Sequence, residues 1–187
     1  DQCASTNDEA ARRLNDPSVH AVAARHQTAG RGRAGRTWHS PPGSGLYLSW
    51  IGRPGFSQSL GGLVPLMAAV TVAEVCDTLG VPVQLKWPND VLVNGRKLAG
   101  ILCEARGTPQ SWTVIVGIGL NIQSPPDGFP PDVPGVALSD LSDRPLDTDS
   151  IARTLVRGLS RHLGDLGRPG TSIIEAWMER GIPLGTP

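Results

Sequence analysis

Lys86-Trp87-Pro88-Asn89-Asp90-Val91-Leu92-Val93-Asn94-Gly95-Arg96-Lys97-Leu98-Ala99-Gly100-Ile101-Leu102 decides the fold. Two apolar runs, Val91 to Val93 and Lys97 to Glu104, flank Asn94-Gly95. An Asn-Gly pair tolerates the positive φ that a two-residue hairpin turn needs, so this is the strongest short-range hairpin signal a sequence carries. Upstream, Val83 to Lys86 alternates as a strand, and Pro88 stiffens the exit into the turn. Downstream, Trp112 to Leu120 is apolar on nearly every residue and reads as a central strand. Further strands are expected at Val19 to Ala24 and Leu46 to Ile51. Helical spacing marks one amphipathic helix from Leu63 to near Gly80 through Leu66, Met67, Val70 and Ala73. A long helix follows through Ile151, Leu155, Leu159, Leu163 and Leu166, and a shorter one carries Ile173, Ile174 and Trp177. A first short helix, running through Leu14, is announced by a capping box at Thr6 and Glu9, with Ser5 and Asp8 as the shifted alternative. Hairpin strands and separate helices imply an α+β fold with helices on one face of the sheet.

Composition bounds the function. The 187 residues carry 17 basic and 17 acidic side chains, and Gly (23) and Pro (17) fall short of a disordered or collagen-like composition. The longest near-apolar stretch, Leu63 to Ala73, is shorter than the ~20 residues a membrane span requires. Three cysteines, Cys3, Cys76 and Cys103, lack CxxC spacing, and the first residues do not form a basic segment followed by an apolar run. A soluble, cytoplasmic chain with no membrane partner is therefore expected. His20, His26, His39 and His162 have no metal-ligand spacing, so no metal site is expected.

The zero net charge is unevenly distributed. No acidic residue occurs between Asp16 and Glu74, whereas Arg25, Arg31, Arg33, Arg36 and Arg53 do, so this region is built to face an anion. The segment from Thr28 to Gly45 is rich in glycine and arginine, and a structureless segment of ~15 residues inside a domain is usually functional. Its Gly30-Arg31-Gly32-Arg33-Ala34-Gly35 matches the G-x-G-x-x-G dinucleotide pattern. Pro41-Pro42 forbids the helix that this motif must open, however, and no acid follows at the required distance. What remains is a glycine loop on which Arg31 and Arg33, at alternate positions, are expected to converge on one carboxylate or phosphate. Zero net charge, one Tyr and two Phe argue against a nucleic-acid surface.

Fifteen of the basic residues are Arg, and only Lys86 and Lys97 are Lys. A compact ammonium suits a site that needs a small cation close to a reacting atom. The hairpin returns Lys97 toward Asp90, which gathers two ammoniums and a carboxylate as in a phosphoryl or adenylyl transfer site. Gly117-Ile118-Gly119-Leu120-Asn121 ends the central strand with small residues that let a planar group or a ligand lie against the backbone. Ser124 to Pro134, with five prolines, reads as an exposed loop.

Six segments occur in order: Ser5-Thr6-Asn7; His26-Gln27-Thr28-Ala29-Gly30-Arg31-Gly32-Arg33-Ala34-Gly35-Arg36 with Trp38; Leu46-Tyr47-Leu48-Ser49; Lys86-Trp87-Pro88-Asn89-Asp90; Arg96-Lys97-Leu98-Ala99-Gly100-Ile101-Leu102 with Glu104; and Gly117-Ile118-Gly119-Leu120-Asn121. Together they resemble the catalytic domain of biotin protein ligases (biotin–[acetyl-CoA-carboxylase] ligases). The resemblance implies a mixed, largely antiparallel sheet of the class II aminoacyl-tRNA synthetase type. It also implies a two-step reaction, in which biotin and MgATP give biotinyl-5′-AMP and the biotin then passes to one lysine of a biotin carboxyl carrier domain.

By this resemblance Ser5, Thr6, Asn7, Gln27, Gly30, Arg31, Gly32, Arg33, Lys86, Gly100 and Gly117 would bind biotin. Arg31, Arg36, Trp38, Asn89 and Asn121 would bind ATP or the adenylate, and Lys86, Arg33, Asp90 and Lys97 would be catalytic, with Asp90 as base. The glycine loop would order on ligand binding. The resemblance further implies a catalytic domain over 1–180, a stub at 181–187 where an SH3-like domain would begin, no N-terminal DNA-binding domain and no DNA partner, and a homodimer through the sheet edge. The alternatives are a lipoyl or octanoyl ligase or transferase of the same fold, or a biotin-binding module that does not complete catalysis.

Overall fold

A computed structural model describes residues 2–166, 168 and 172–183 of the chain. Along it run β1 (Gln2–Cys3), α1 (Thr6–Arg12), β2 (Ala21–Ala24), β3 (His26–Gln27), β4 (Gly45–Gly52), α2 (Val64–Thr78), β5 (Gln84–Lys86), β6 (Asp90–Val93), β7 (Arg96–Thr108), β8 (Ser111–Asn121), α3 (Thr148–Leu166) and α4 (Ile173–Met178). Six strands form one sheet in the order β2-β4-β8-β7-β6-β5, with every neighbouring pair antiparallel. The parallel component of the mixed architecture is small: β1 pairs with β3, and single parallel bridges join Leu85 to Gly181 and Lys97 to Gly135. This is the expected α+β fold, with β8 in the sheet interior.

The β6–β7 hairpin turns at Asn94 and Gly95, whose φ values of 49° and 74° are those that favour this pair in a tight hairpin. Its register contains one irregularity with a large consequence. Val91 pairs with Ala99 and Leu92 with Lys97, so Leu98 is an extra residue bulged out of β7. Side chains alternate along a strand, and without the bulge Lys97 would share the core face of Ala99. With it, Leu98 and Ala99 both enter the core while Lys97 joins Leu92, Asp90 and Gly100 on the opposite face.

Leu46, Leu48, Trp50, Leu85, Val91, Ile101, Val116, Ile118 and Leu120 point to the core side, where α2, α3 and α4 cover the sheet. Helix α3 buries the five apolar positions expected of it. Helix α2 is not the amphipathic helix its spacing suggested. It is buried almost all round because β5–β7, α3 and α4 all pack against it, and Gly158 of α3 approaches so closely that a Cβ there would lie 2.6 Å from Thr71 Cγ2. The turn at Gln58–Leu63 leads straight into α2, so Gln58–Thr78 is long and apolar enough to match a membrane span by composition, with mean hydropathy 1.7. That exceeds the run read from Leu63 to Ala73, and the buried part of it, just over half, lies in α2 and packs into the core.

Helix α1 is the exception to the one-sided arrangement. It packs on the other face, where Ala10 meets Ile51 and Ile115. Ser5 caps it, accepting a hydrogen bond from the Asp8 N–H at 3.5 Å, so the shifted capping alternative is the one adopted. The rest of that face is left open between α1, the arginine loop and the segment 125–135.

Candidate active site

The open face forms a cleft of about 700 Å³, the larger of the two best-formed cavities among the described residues. Its floor is made of alternating residues from neighbouring strands: Tyr47 on β4, Gly117 and Gly119 on β8, Gly100 and Leu102 on β7, Asp90 and Leu92 on β6, and Lys86 at the end of β5. Register explains this convergence. Tyr47 pairs with Gly119, Gly119 with Gly100, Gly100 with Asp90 and Asp90 with Lys86, so one line of residues crosses five strands. The glycines in that line are needed for what lies on them. A Cβ at Gly119 would come within 2.3 Å of the Trp38 indole, and one at Gly100 within 2.7 Å. The planar group expected against the strand backbone is thus the protein's own Trp38.

At one end lies a polar relay anchored by the start of α1. Gln27 Oε1 accepts from the Thr6 backbone N–H (2.8 Å) and hydroxyl (3.0 Å), while its Nε2 donates to Ser40 Oγ (3.1 Å). Ser49 Oγ lies 2.8 Å from Thr6 Oγ1 and donates to Asn7 Oδ1 at 2.6 Å. Asn7 Nδ2 donates to Glu104 Oε2 at 2.7 Å, and the Asn7 side chain occupies the space a Cβ at Gly117 would need. Ser49, Ser40 and Glu104 received no role from sequence reasoning. Ser49 carries a readable signal, since it is the small polar side chain in an otherwise apolar, aromatic and glycine strand, and it is fully buried.

The arginine loop leaves the sheet after Gln27 and closes on itself. Arg31 bridges Thr37, Gly32 N–H donates to Arg36 O at 2.7 Å, and residues 33–35 make a short 3-10 turn with Ala34 at φ 54°. That turn breaks the extended alternation, so Arg31 and Arg33 do not converge as expected. Arg31 reaches toward α1, 2.7 Å from Asp8 and 3.0 Å from Glu104, whereas Arg33 donates to Asn89 Oδ1 at 3.4 Å. Gly30 does not line the cleft. It is buried beneath the loop, where a Cβ would clash with Trp38 O at 2.6 Å and Ser40 Oγ at 2.7 Å. All the other residues expected to bind or catalyse, from Ser5 to Asn121, line this one cleft, whereas Arg25 and Arg53 of the acid-free stretch do not: Arg25 lies 3.6 Å from Asp149 and Arg53 donates to Leu14 O.

At the opposite end Lys97 Nζ sits 2.7 Å from Asp90 Oδ1 and 5.3 Å from the centre of the Trp38 ring. The oxygen has no hydrogen bond of good alignment, so the contact is an ion pair rather than a directed bond. The Trp38 indole N–H is buried without an acceptor among the described residues. Asn89 Nδ2 donates to Ile101 O (2.9 Å), and Asn121 Nδ2 donates to Lys97 O and Val136 O (3.1 Å each), which hold the two amides against the sheet. The segment 125–135 is more than the exposed loop its prolines suggested. Lys97 N–H donates to Pro134 O and Val136 N–H to Lys97 O, so the chain runs beside the start of β7 and satisfies backbone groups there. Phe129, Val133 and Pro134 consequently form part of the cleft wall.

The charge balance of the cleft is uneven. Arg31 and Lys97 are neutralised by carboxylates, but among the described residues Lys86, Arg33 and Arg36 make no ion pair. Three cations without counter-charges in one recess form an anion site. Burial pushes the Tyr47 phenol up to about 12, so it stays a neutral hydroxyl on the floor.

The profile of the Biotin/lipoate A/B protein ligase family matches residues 2–121. The chain is 34% identical to the bifunctional ligase/repressor BirA of Bacillus subtilis, covering 92% of this chain and 54% of that protein. It is also 34% identical to the biotin--[acetyl-CoA-carboxylase] ligase of Paracoccus denitrificans, over 98% of this chain and 80% of the relative. The structure of the biotin protein ligase from Aquifex aeolicus in complex with biotin and ATP superposes with a TM-score of 0.77 at 25% identity, covering 98% of this chain and 77% of that one. The chain thus spans about half the length of the Bacillus relative and most of the other two. Profile, sequence identity and superposition agree with the cleft built from those same motifs, and the chain belongs to the biotin/lipoate A/B protein ligase family.

Proposed function

We propose that this chain activates biotin with ATP to biotinyl-5′-AMP and passes the biotin to one lysine of a biotin carboxyl carrier domain. The observation that carries the reading is the trio Lys86, Arg33 and Arg36, without ion pairs among the described residues, at the other end of one cleft from the neutral side chains of Thr6, Asn7 and Gln27, in a chain whose relatives are biotin ligases. A molecule with a neutral hydrogen-bonding head and an anionic tail fits such a cleft end to end. In this reading Ser5, Thr6, Asn7 and Gln27 hold the ureido ring, and the tail carboxylate lies toward Lys86.

A carboxylate oxygen of biotin attacks the α-phosphorus of ATP, the bond to the bridging oxygen breaks, and pyrophosphate leaves. Lys86 offsets charge on the α-phosphoryl oxygens as it develops, Arg33 closes over the mixed anhydride, and Arg36 draws the leaving pyrophosphate. Trp38, Asn89 and Asn121 form the nucleotide end. Mg²⁺ enters as the counter-ion of the ATP phosphates, as part of the substrate. In the second step the ε-amine of the acceptor lysine attacks the acyl carbon and AMP leaves. Asp90, held in place by Lys97, takes the amine proton. The three free thiols accord with a reducing compartment such as the cytoplasm.

Titration calorimetry with biotin, and separately with lipoate and octanoate, tests the substrate. Saturable binding of biotin alone is the expected result. Preference for lipoate or octanoate, or no binding of biotin, would overturn the proposal.

A further inference from the structure

We infer that Glu104 is a positioning residue that sets the biotin end of the cleft by holding both the Asn7 amide and the arginine loop. This rests on the biotin reading above. Glu104 belongs to β7, separated by β8 from the strand that carries Ser49, and its carboxylate meets Asn7 and Arg31, from two other parts of the chain, and Arg106 of its own strand. Oε2 accepts from Asn7 Nδ2 at 2.7 Å and from Arg31 at 3.0 Å, and Oε1 lies 3.3 Å from Arg31 and 3.4 Å from Arg106. The side chain is only 16% exposed, so these contacts are partly shielded from water.

The chemistry of the acceptor makes the arrangement directional. An ionised carboxylate can only accept, so it turns the NH₂ end of Asn7 toward itself and the oxygen end toward the Ser49 hydroxyl, 2.6 Å away. One rotamer of Asn7 satisfies both neighbours, and flipping the amide would set its oxygen against the carboxylate. Asn7 in turn is seated over Gly117, where no side chain larger than hydrogen fits. Through Arg31 the same carboxylate also tethers the loop to α1, with Asp8 as the second anchor at 2.7 Å. Loop and ureido pocket therefore share one fixed point, although the loop's other cations, Arg33 and Arg36, act at the far end of the cleft.

Glu104→Gln keeps the shape but removes the negative charge and one of the two acceptors: with its oxygen in the place of Oε2, its NH₂ faces the Arg31 and Arg106 guanidiniums, and turned the other way it faces the Asn7 NH₂. The test compares wild-type and Glu104→Gln protein by biotin titration, by steady-state constants for biotin and ATP, and by tryptic cleavage at the loop arginines without ligand. The expected results are a biotin Kd and KM raised roughly tenfold, the size of losing one hydrogen bond to a charged acceptor, with the ATP KM within about twofold. Loop cleavage should be several-fold faster, and Glu104→Asp should recover part of the biotin affinity. Thermal melting, followed by circular dichroism, separates this from unfolding. Unchanged biotin affinity and unchanged cleavage in a folded variant would overturn the inference, as would equal losses for biotin and ATP. If wild-type protein binds no biotin, the biotin reading fails, and the cleavage comparison still decides whether Glu104 tethers the loop.

Discussion

In the proposed reaction most of the chemistry turns on Lys86, whose surroundings are unusual for a half-buried ammonium. It ends β5 facing the cleft, and its ammonium makes no ion pair or hydrogen bond among the described residues. Lys86→Arg preserves that charge but replaces a point cation by a wide planar fork that cannot occupy the same spot. The expected outcome is a fall in adenylation by about 100-fold, the size of one misplaced electrostatic contact to a transition state, with the thermal midpoint unchanged. Adenylate formation in a single turnover measures it, and a rate near wild type would show that Lys86 is not at the reacting phosphorus. Lys86 was legible because the chain writes Arg almost everywhere else. Glu104 was legible only as part of a motif, because its role comes from a contact with Asn7 that no local spacing encodes.

At the scale of elements, the β6–β7 hairpin shows what a sequence can and cannot specify. Asn94-Gly95 announces the turn, but the extra residue at Leu98 is invisible in an apolar run, since Lys97-Leu98-Ala99-Gly100 reads equally well with either register. The bulge nevertheless decides whether Lys97 can reach Asp90. Deleting Leu98 should drive Lys97 toward the core or shift the register of β7, and so destabilise the protein by more than Leu98→Ala, which costs about 2–5 kcal/mol for a buried leucine. Urea unfolding of the two variants checks this. A deletion no less stable than Leu98→Ala would mean the bulge is not what orients Lys97. The all-round burial of α2 and the wall made by 125–135 escaped the sequence for a related reason. Each depends on a neighbour distant in the chain, α3 for the first and the start of β7 for the second. By contrast α3, whose apolar stripe is self-contained, was fully readable.

Across the whole molecule, one sheet separates an apolar store of stability on its α2–α4 side from a polar cleft on the other. Burial pushes Cys76 and Cys103 up from 9.0 to about 12, and Tyr47 from 10.0 to about 12. Because each folded value lies above the unfolded one, their contribution to stability is intact below about pH 9 and is lost as pH rises through about 12. The thermal midpoint should therefore hold steady between about pH 7 and 8.5 and drop above about pH 9.5. Tyr47→Phe should lessen that drop, and a midpoint that stays flat to about pH 11 would contradict the burial of these groups. The central claim is that the cleft between α1, the arginine loop and the end of β5 joins biotin to AMP. Exchange of radiolabelled pyrophosphate into ATP, run with this chain, Mg²⁺ and either biotin or lipoate, tests it most directly. Exchange that depends on biotin and is absent with lipoate is expected, and a chain that binds biotin yet catalyses no exchange would overturn this assignment of the cleft.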